Sequence, residues 1–224
     1  MNGAPSPCLL FDLDGTLVES LAGIEDSVRS AFAACGLPMH VTSLRDLVGP
    51  PIRTILSRAG NVLDEQKLDA LEREFRANYD REGWRNSPCF PHVPEVLQEL
   101  RRRGHRLFVV SNKPRHSCTR ILRNNAIHKY FEAIITRDSR NPPYEGKLQM
   151  IETLLCERSL SPDQCLMVGD TGEDGNAAAS AGIRFVRMKY GYGSPSQFAS
   201  NLPAFALQEF AQLLSLATKE PVLD

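Results

Sequence analysis

The chain has 224 residues, of which 42% are hydrophobic and 24% charged, and its formal net charge is −1 at pH 7. This composition is typical of a soluble globular protein of one or two domains, and the near-zero charge predicts neither a nucleic-acid nor a membrane partner. No apolar run approaches the roughly 20 residues that span a bilayer. The N-terminus lacks a signal-peptide pattern and the six cysteines are scattered, so we expect a cytoplasmic protein with reduced thiols.

The first predicted element is a short buried strand over residues 8–13, which runs directly into a polar turn. From about residue 19 to residue 85 the apolar residues recur only at helical spacing, and this pattern predicts helices over 24–35, 51–59 and 64–82. Prolines around residue 88 mark the end of this helical region.

Beyond residue 88, helices and strands alternate. The predicted helices cover residues 94–103, 115–124, 147–158, 173–181 and 207–216, and the predicted strands cover 106–111, 131–136, 164–168 and 184–187. Apolar strands that alternate with helices predict an α/β fold with a doubly wound parallel sheet, covered on both faces. We therefore predict a core formed by residues 1–18 and 87–224, with a helical cap inserted at residues 19–86.

Polar residues follow three of the predicted strands at the point where each strand ends. Asp12 and Asp14 lie at the carboxyl end of the first strand, Ser111-Asn112-Lys113 lie at the end of the second, and Asp170 and Asp174 follow the strand at 164–168. Open parallel sheets bind their ligands outside the carboxyl ends of the strands, so we expect these side chains to converge. Their types indicate phosphoryl chemistry, because carboxylates can attack phosphorus, transfer protons and bind Mg²⁺, while serine and lysine bind phosphate.

These motifs resemble those of the haloacid dehalogenase superfamily, and the chain is most similar to its phosphoglycolate phosphatase group, which has a helical cap. The resemblance implies that Asp12 is the nucleophile and Asp14 the acid/base. It implies that Ser111 and Asn112 bind the phosphate. It also implies a Mg²⁺ site made by Asp12, Asp14 through its backbone carbonyl, Asp170, and Asp174 in or just behind the metal shell.

The third motif of the group departs from the usual pattern. The group commonly has Lys-Pro at this position, whereas Lys147 is followed by Leu148. We assign Lys147 to the phosphate-neutralising role, with Lys113 as the alternative. Arg53 lies in a turn that resembles the specificity loop of the group, and it is a candidate to pair with a substrate carboxylate. We expect residues 190–193 to form a flexible loop rather than the rim of the site.

The resemblance implies a Mg²⁺-dependent phosphatase that forms an aspartyl-phosphate on a small anionic metabolite, with 2-phosphoglycolate as the first candidate. A hexose-phosphate mutase shares the core motifs, and it would differ by retaining phosphate on its substrate. A non-catalytic phosphate- or Mg²⁺-binding module is the other alternative. The expected partner is a small phosphorylated metabolite, and the sequence leaves the oligomeric state open between a monomer and a homodimer.

Overall fold

The computed structural model describes residues 7–62, 64–198 and 204–216. The prediction that the N-terminus is not a signal peptide concerns residues that lie almost wholly outside the described part of the chain. The predicted core, residues 1–18 and 87–224, also begins and ends outside the described residues. None of the helices in the described part of the chain combines the length and the apolarity that a membrane span requires.

Six strands form one parallel sheet in the order β3-β2-β1-β4-β5-β6. The strands are β1 (Cys8–Phe11), β2 (Leu107–Ser111), β3 (Ala133–Thr136), β4 (Cys165–Gly169), β5 (Arg184–Met188) and β6 (Ala204–Leu207). This sheet confirms the predicted α/β fold with a doubly wound core. The strand order reverses between β1 and β4, which is where open sheets of this type bind ligands.

Helices cover both faces of the sheet, because successive side chains of a strand point to opposite sides. Leu9 and Phe11 of β1 pack into one cluster with α4 (Val93–Arg102) and α5 (Arg115–Asn124). Cys8 and Leu10 pack on the other face with α6 (Lys147–Glu157) and α7 (Gly172–Ser180). The first strand is therefore buried on both sides, which explains its continuous apolar run.

The sequence prediction is wrong at the C-terminal end of the described chain, where a helix was expected over residues 207–216. Leu207 instead ends β6, and the chain continues as a 3₁₀ turn (Phe210–Gln212) and a single helical turn, α8 (Leu213–Leu216). Two apolar residues at helical spacing, Phe210 and Leu213, are buried as the prediction required. The short turn is long enough to bury both residues. The residues before it, 204–207, pair with β5 and so form a strand of the sheet.

Between residues 19 and 86, the described part of the chain contains helices but no strand, as predicted. They are α1 (Leu21–Ala34), α2 (Ile52–Gly60) and α3 (Glu65–Tyr79), with 3₁₀ turns at Arg45–Leu47 and Gly83–Arg85. Both α1 and α2 pack against α3. The helix α3 begins where the Asp64 side chain accepts a 3.0 Å hydrogen bond from the backbone N–H of Lys67. The division into core and cap at residues 19 and 86 stays a prediction.

The chain leaves the sheet and returns to it at adjacent points. Val18 and Cys89 pair in an antiparallel bridge. Backbone hydrogen bonds on either side join the N–H of Glu19 to the carbonyl of Pro88 (2.9 Å) and the N–H of Phe90 to the carbonyl of Leu17 (3.1 Å). The helices α1–α3 are therefore attached to the sheet through two chain segments that run side by side.

Candidate active site

Three carboxylates converge at the carboxyl ends of β1 and β4, the two neighbouring central strands. Asp12 follows β1, Asp170 follows β4, and Asp174 lies in the first turn of α7. Each is buried, and each offers one carboxylate oxygen such that these oxygens all lie within 4.8 Å of one another. The structure therefore brings together the side chains of three of the four residues for which a metal contact was predicted.

Hydrogen bonds orient two of these carboxylates. Asp174 accepts bonds at Oδ2 from the backbone N–H (3.0 Å) and the hydroxyl (2.7 Å) of Thr171, in a capping box that begins α7. Asp170 accepts a 3.0 Å bond from the hydroxyl of Thr16 and a 2.7 Å bond from the backbone N–H of Tyr192. The positions of both side chains are thus defined by groups on three different loops.

Burial makes this cluster unfavourable for negative charge. It raises the pKa of Asp12 well above its usual value, although Lys147 opposes the shift. Burial and the neighbouring Asp174 raise the pKa of Asp170 to about 7. Among the described residues, one ammonium group, that of Lys147, forms ion pairs with this cluster, and it contacts Asp12 and Asp174. A divalent cation would balance the excess negative charge of the three carboxylates. Carboxylate oxygens are the ligands that Mg²⁺ prefers, so Asp12, Asp170 and Asp174 fit this ion.

The two candidate lysines contact different acids. The Nζ atom of Lys147 lies 2.9 Å from Oδ1 of Asp12 and also donates to Asp174. The Nζ atom of Lys113 lies 2.9 Å from each carboxylate oxygen of Asp14. Burial disfavours the charged form of both lysines, but the adjacent carboxylates outweigh it and hold the pKa of each above its usual value. Which lysine neutralises a bound phosphate stays a prediction.

The other predicted site residues lie at the same edge of the sheet. The side chain of Asp14 is not part of the three-carboxylate cluster. Its carboxylate is paired with Lys113 instead. Ser111 is buried at the end of β2, and its hydroxyl accepts a 3.3 Å bond from the backbone N–H of Lys113. The amide of Asn112 donates to the carbonyl of Gly49 (3.0 Å), which joins the sheet edge to the helical region.

Arg53, the candidate for substrate recognition, is engaged by acids that the sequence analysis did not consider. Its guanidinium lies on α2 and contacts three carboxylates of α3. These are Glu65, Asp69 at 2.7 Å and Glu72 at 3.4 Å. Its hydrogen bonds with Glu65 and Asp69 raise the pKa of the guanidinium above its usual value. The role of Arg53 in binding a substrate carboxylate stays a prediction. A substrate carboxylate would have to compete with these three acids for the guanidinium.

Residues 190–193 pack closely around Asp170 instead of extending away as a free loop. Besides the bond from the Tyr192 N–H, the hydroxyl of Tyr190 donates a 2.7 Å bond to the carbonyl of Thr16. Gly191 leaves no space for a side chain, because a Cβ atom there would collide with the side chain of Asp170. The alternation of tyrosine and glycine was a signal of this close approach, which the prediction of a flexible loop overlooked.

A cavity of about 650 Å³ lies between the sheet edge and the helices. Asp12, Asp14, Ser111, Asn112 and Lys113 all border it. Most residues between 48 and 58, including part of α2, and several residues of α3 form much of the remaining lining. The site can thus hold a ligand between the acidic cluster and the helical region.

The model of the haloacid dehalogenase-like hydrolase family matches residues 9–188. The chain belongs to this family. This match confirms the resemblance on which the sequence analysis relied, and it spans the sheet edge, the helical region and all the residues of the acidic cluster.

Relatives of this chain differ in their named activities. The chain is 34% identical over 192 residues to the tyrosine-protein kinase PtkA of Mycobacterium tuberculosis, covering 85% of the chain and 65% of that protein. It is 30% identical over 208 residues to a 5'-nucleotidase of Pseudomonas aeruginosa, covering 92% and 93% of the two chains. It is 32% identical over 215 residues to a phosphoglycolate phosphatase of Pasteurella multocida, covering 92% and 96%.

A solved structure of PtkA extends the comparison to three dimensions. It superposes on this protein with a TM-score of 0.81 at 32% identity, covering 96% of this chain and 100% of the other. The chain nevertheless spans only about two thirds of the full PtkA sequence. The fold of this chain is therefore shared with a relative named as a kinase, and the relatives that it matches in sequence have names that do not agree on one substrate.

Proposed function

We propose that the protein is a Mg²⁺-dependent phosphomonoester hydrolase. The observation that carries this proposal is the buried cluster of Asp12, Asp170 and Asp174, with Lys147 on Asp12, beside a cavity that could hold a phosphorylated ligand. Membership of the haloacid dehalogenase-like hydrolases supports it, as do relatives named as a phosphatase and a nucleotidase.

Two carboxylates divide the chemistry. A carboxylate oxygen of Asp12 attacks phosphorus, the bond from phosphorus to the leaving oxygen breaks, and an aspartyl-phosphate forms. Asp14 must be protonated when the first step begins, and it gives this proton to the leaving alkoxide. The resulting carboxylate then removes a proton from the water that attacks the aspartyl-phosphate, which returns Asp14 to its protonated form. That attack releases inorganic phosphate and restores the carboxylate of Asp12. The next catalytic cycle can then begin.

The surrounding residues bind and orient the phosphoryl group. The hydroxyl of Ser111 is suited to donate a hydrogen bond to its oxygens at the end of β2. The side-chain amide of Asn112 already donates to Gly49 and Glu173, so Asn112 would bind the phosphoryl group through its backbone N–H. Lys147 favours the charged form of the Asp12 carboxylate, which attacks phosphorus. Bound Mg²⁺ would neutralise the charge that develops on the phosphoryl oxygens and hold them beside the nucleophile. Lys113 contacts both oxygens of Asp14 and thereby orients that carboxyl group.

The finer proposal is the substrate, for which 2-phosphoglycolate is the candidate of the sequence analysis. The Pasteurella relative of that name supports it. The 5'-nucleotidase of similar identity supports a larger substrate instead. Action on a small soluble metabolite and a cytoplasmic location remain proposals, as does the choice between a monomer and a homodimer.

Phosphate release from an aryl phosphate, with and without Mg²⁺, tests the proposal. Asp12→Asn should lower the rate by at least about 10³-fold, because it removes the nucleophile. Asp26→Asn is the matched control, since Asp26 lies exposed on α1. With ³²P-labelled substrate, wild-type protein should acquire label and the Asp12→Asn variant should not.

Three other outcomes would each indicate a different mechanism or function. Near-wild-type turnover by Asp12→Asn would overturn the covalent mechanism. Phosphate that remains on a sugar substrate after turnover would indicate a mutase. An absence of any turnover on a broad set of phosphorylated metabolites would favour a binding module.

A further inference from the structure

The peptide unit between Gly191 and Tyr192 is hydrogen-bonded at both of its polar ends. Its N–H, which belongs to Tyr192, donates a 2.7 Å bond to Oδ2 of Asp170. Its carbonyl, which belongs to Gly191, accepts a 2.7 Å bond from the guanidinium of Arg45. Asp170 belongs to the proposed Mg²⁺ site, whereas Arg45 lies in a 3₁₀ turn of the helical region. One planar peptide group therefore connects the two side chains.

Two further contacts hold Arg45 against the same loop. The guanidinium donates a 3.2 Å bond to the carbonyl of Tyr190. Its central carbon also lies 5.6 Å from the centre of the Tyr192 ring, which is within the range of a cation–π contact. The charge of Arg45 thus acts on backbone carbonyls and on an aromatic ring. A hydrogen bond from a charged donor is stronger than one between neutral groups.

The turn that carries Arg45 is itself attached to α1. The backbone N–H of Leu44 donates a 2.6 Å bond to Oε1 of Glu25, and the hydroxyl of Ser43 donates a 2.9 Å bond to the same oxygen. Glu25 lies on α1, and the side chain of Leu44 is fully buried. The position of Arg45 is therefore defined by the packing of the helical region.

Tyr192 makes a second connection to α1 through its hydroxyl. This oxygen accepts hydrogen bonds from the backbone N–H groups of Ser20 (2.7 Å) and Leu21 (3.0 Å), where the helix begins. The side chain of Ser20 makes no capping bond, so the tyrosine oxygen takes the place of an N-cap side chain. The loop at residues 190–193 thus contacts the helical region at two points and Asp170 at a third.

The bond from Arg45 also strengthens the bond to Asp170. A cation at the carbonyl oxygen of a peptide unit polarises that unit, and the N–H of the same unit becomes a better donor. Without the guanidinium, the carbonyl of Gly191 would be left to water and the peptide could tilt. The Asp170 carboxylate would then lose part of what holds its orientation.

We propose that Arg45 is a positioning residue for the Mg²⁺ site, through which the helical region fixes the orientation of Asp170. This inference rests on the proposed Mg²⁺-dependent function. Mg²⁺ requires nearly ideal ligand geometry, so a small tilt of the Gly191–Tyr192 peptide should weaken binding of the ion. The helical region then affects the metal site as well as the cavity.

The first experiment needs no metal and follows hydrogen exchange of the Tyr192 amide in Mg²⁺-free buffer. The rate is taken relative to that of the Val186 amide in β5, so that a general change in stability cancels. Arg45→Met removes the charge and the donors, and we expect about tenfold faster relative exchange. Arg73→Met, at an exposed position of α3, is the matched control and should leave the rate unchanged. An unchanged rate in Arg45→Met would overturn the inference.

The second experiment measures Mg²⁺ binding by calorimetry with the metal alone. Arg45→Met should raise the Kd for Mg²⁺ about fivefold to tenfold, at the lower end of the range for residues that orient metal ligands. Arg73→Met should leave the Kd unchanged. If Arg45→Met bound Mg²⁺ as tightly as the wild-type protein does, the proposed effect on the metal site would be wrong.

A double variant tests the route of the effect. Gly191→Ala disturbs Asp170 directly, because its Cβ atom would collide with that side chain. In this background, Arg45→Met should raise the Kd for Mg²⁺ by less than about a further twofold, since both changes act through one peptide unit. Single losses that multiply in the double variant would show that Arg45 acts by another route, and would overturn the inference.

The exchange measurement separates this inference from the proposed function. If the wild-type protein binds no Mg²⁺, the proposed Mg²⁺-dependent function fails, and the exchange rate of Tyr192 alone decides whether Arg45 holds the peptide that contacts Asp170. If the protein binds Mg²⁺ but releases phosphate from no substrate, the phosphatase proposal fails. A weaker Mg²⁺ affinity of Arg45→Met would still support the inference in that case.

Discussion

Two cations of this protein are each held by carboxylates from other elements, but in opposite surroundings. Lys147 contacts Asp12 and Asp174, and the side chains of all three are at most 4% exposed. Arg53 contacts acids of α3, and its own side chain is 34% exposed while that of Glu65 is 78% exposed. Charges attract strongly in the interior, where an unpaired charge is also costly, whereas water weakens the same pairs at the surface.

The buried and the exposed ion pairs therefore differ in how strongly each charge depends on its partners. The buried charges beneath the cavity depend on one another, so a change in any of them disturbs the reaction and the fold together. The exposed charges on α2 and α3 can change with little effect on the fold. The residues proposed for the chemistry and Arg53, proposed for recognition of the leaving group, are therefore under different physical constraints, and substitutions can test that division.

The largest effect is expected for Lys147→Met. It removes the only ammonium group in contact with Asp12 among the described residues and leaves two buried carboxylates uncompensated. We expect the free energy of unfolding in Mg²⁺-free buffer to fall by about 3–5 kcal/mol, as measured by urea denaturation. Lys67→Met, at an exposed position of α3, is the control. An unchanged unfolding midpoint for Lys147→Met would contradict the distinction drawn between the two clusters.

Asp170→Asn should act mainly on metal dependence. It retains the size of the side chain but removes a negative charge from the proposed Mg²⁺ site. We expect the Mg²⁺ concentration for half-maximal activity to rise by more than about tenfold, as measured by titration after treatment with a chelator. Asp26→Asn serves again as the control. A superimposable titration curve would remove Asp170 from the metal site.

Gly191→Ala should have a smaller effect of the same kind. The added methyl group would collide with the side chain of Asp170 and displace it without changing its charge. A several-fold to about tenfold rise in the Mg²⁺ requirement is expected, as for residues that orient metal ligands. At Gly146 a Cβ atom meets no atom within 4 Å, so Gly146→Ala is a matched control. Equal curves for the two variants would show that the 190–193 loop does not position Asp170.

The smallest effect is expected for Arg53→Met. Exposed ion pairs contribute little to stability, so the urea midpoint should not move measurably. The kcat/KM for an uncharged aryl phosphate should change less than about threefold, because its leaving group forms no ion pair with Arg53. If the variant unfolded as readily as Lys147→Met, the comparison between buried and exposed clusters would fail.

Sequence alone predicted the features that depend on neighbouring residues or on the ends of strands. Asp12, Ser111 and Asp170 each follow an apolar run, and the parallel sheet brings such ends to one edge. Their convergence could be predicted for this reason. The start of α6 at Lys147 was also predicted, but only the packing of α6 against the sheet shows that its side chain meets Asp12.

Other features depend on contacts between distant segments and could not be predicted in this way. The acids around Arg53 lie 12 to 19 residues away, and they reach it only because α2 packs against α3. The strand β6 forms because the edge of β5 accepts it, which no local periodicity indicates. The contact of residues 190–193 with Asp170 likewise joins the ends of two different strands.

Because the segments at Val18 and Cys89 are paired, the sequence and length of the helical region can change with little effect on the sheet. Because its two ends are adjacent and hydrogen-bonded to each other, the length of chain between them can vary without shifting the register of the sheet. One set of inserted helices can therefore be replaced by another while the strands and the residues at their ends stay in place. Substrate range can then evolve by replacement of one contiguous stretch of sequence, while the acids on the strands remain as they are.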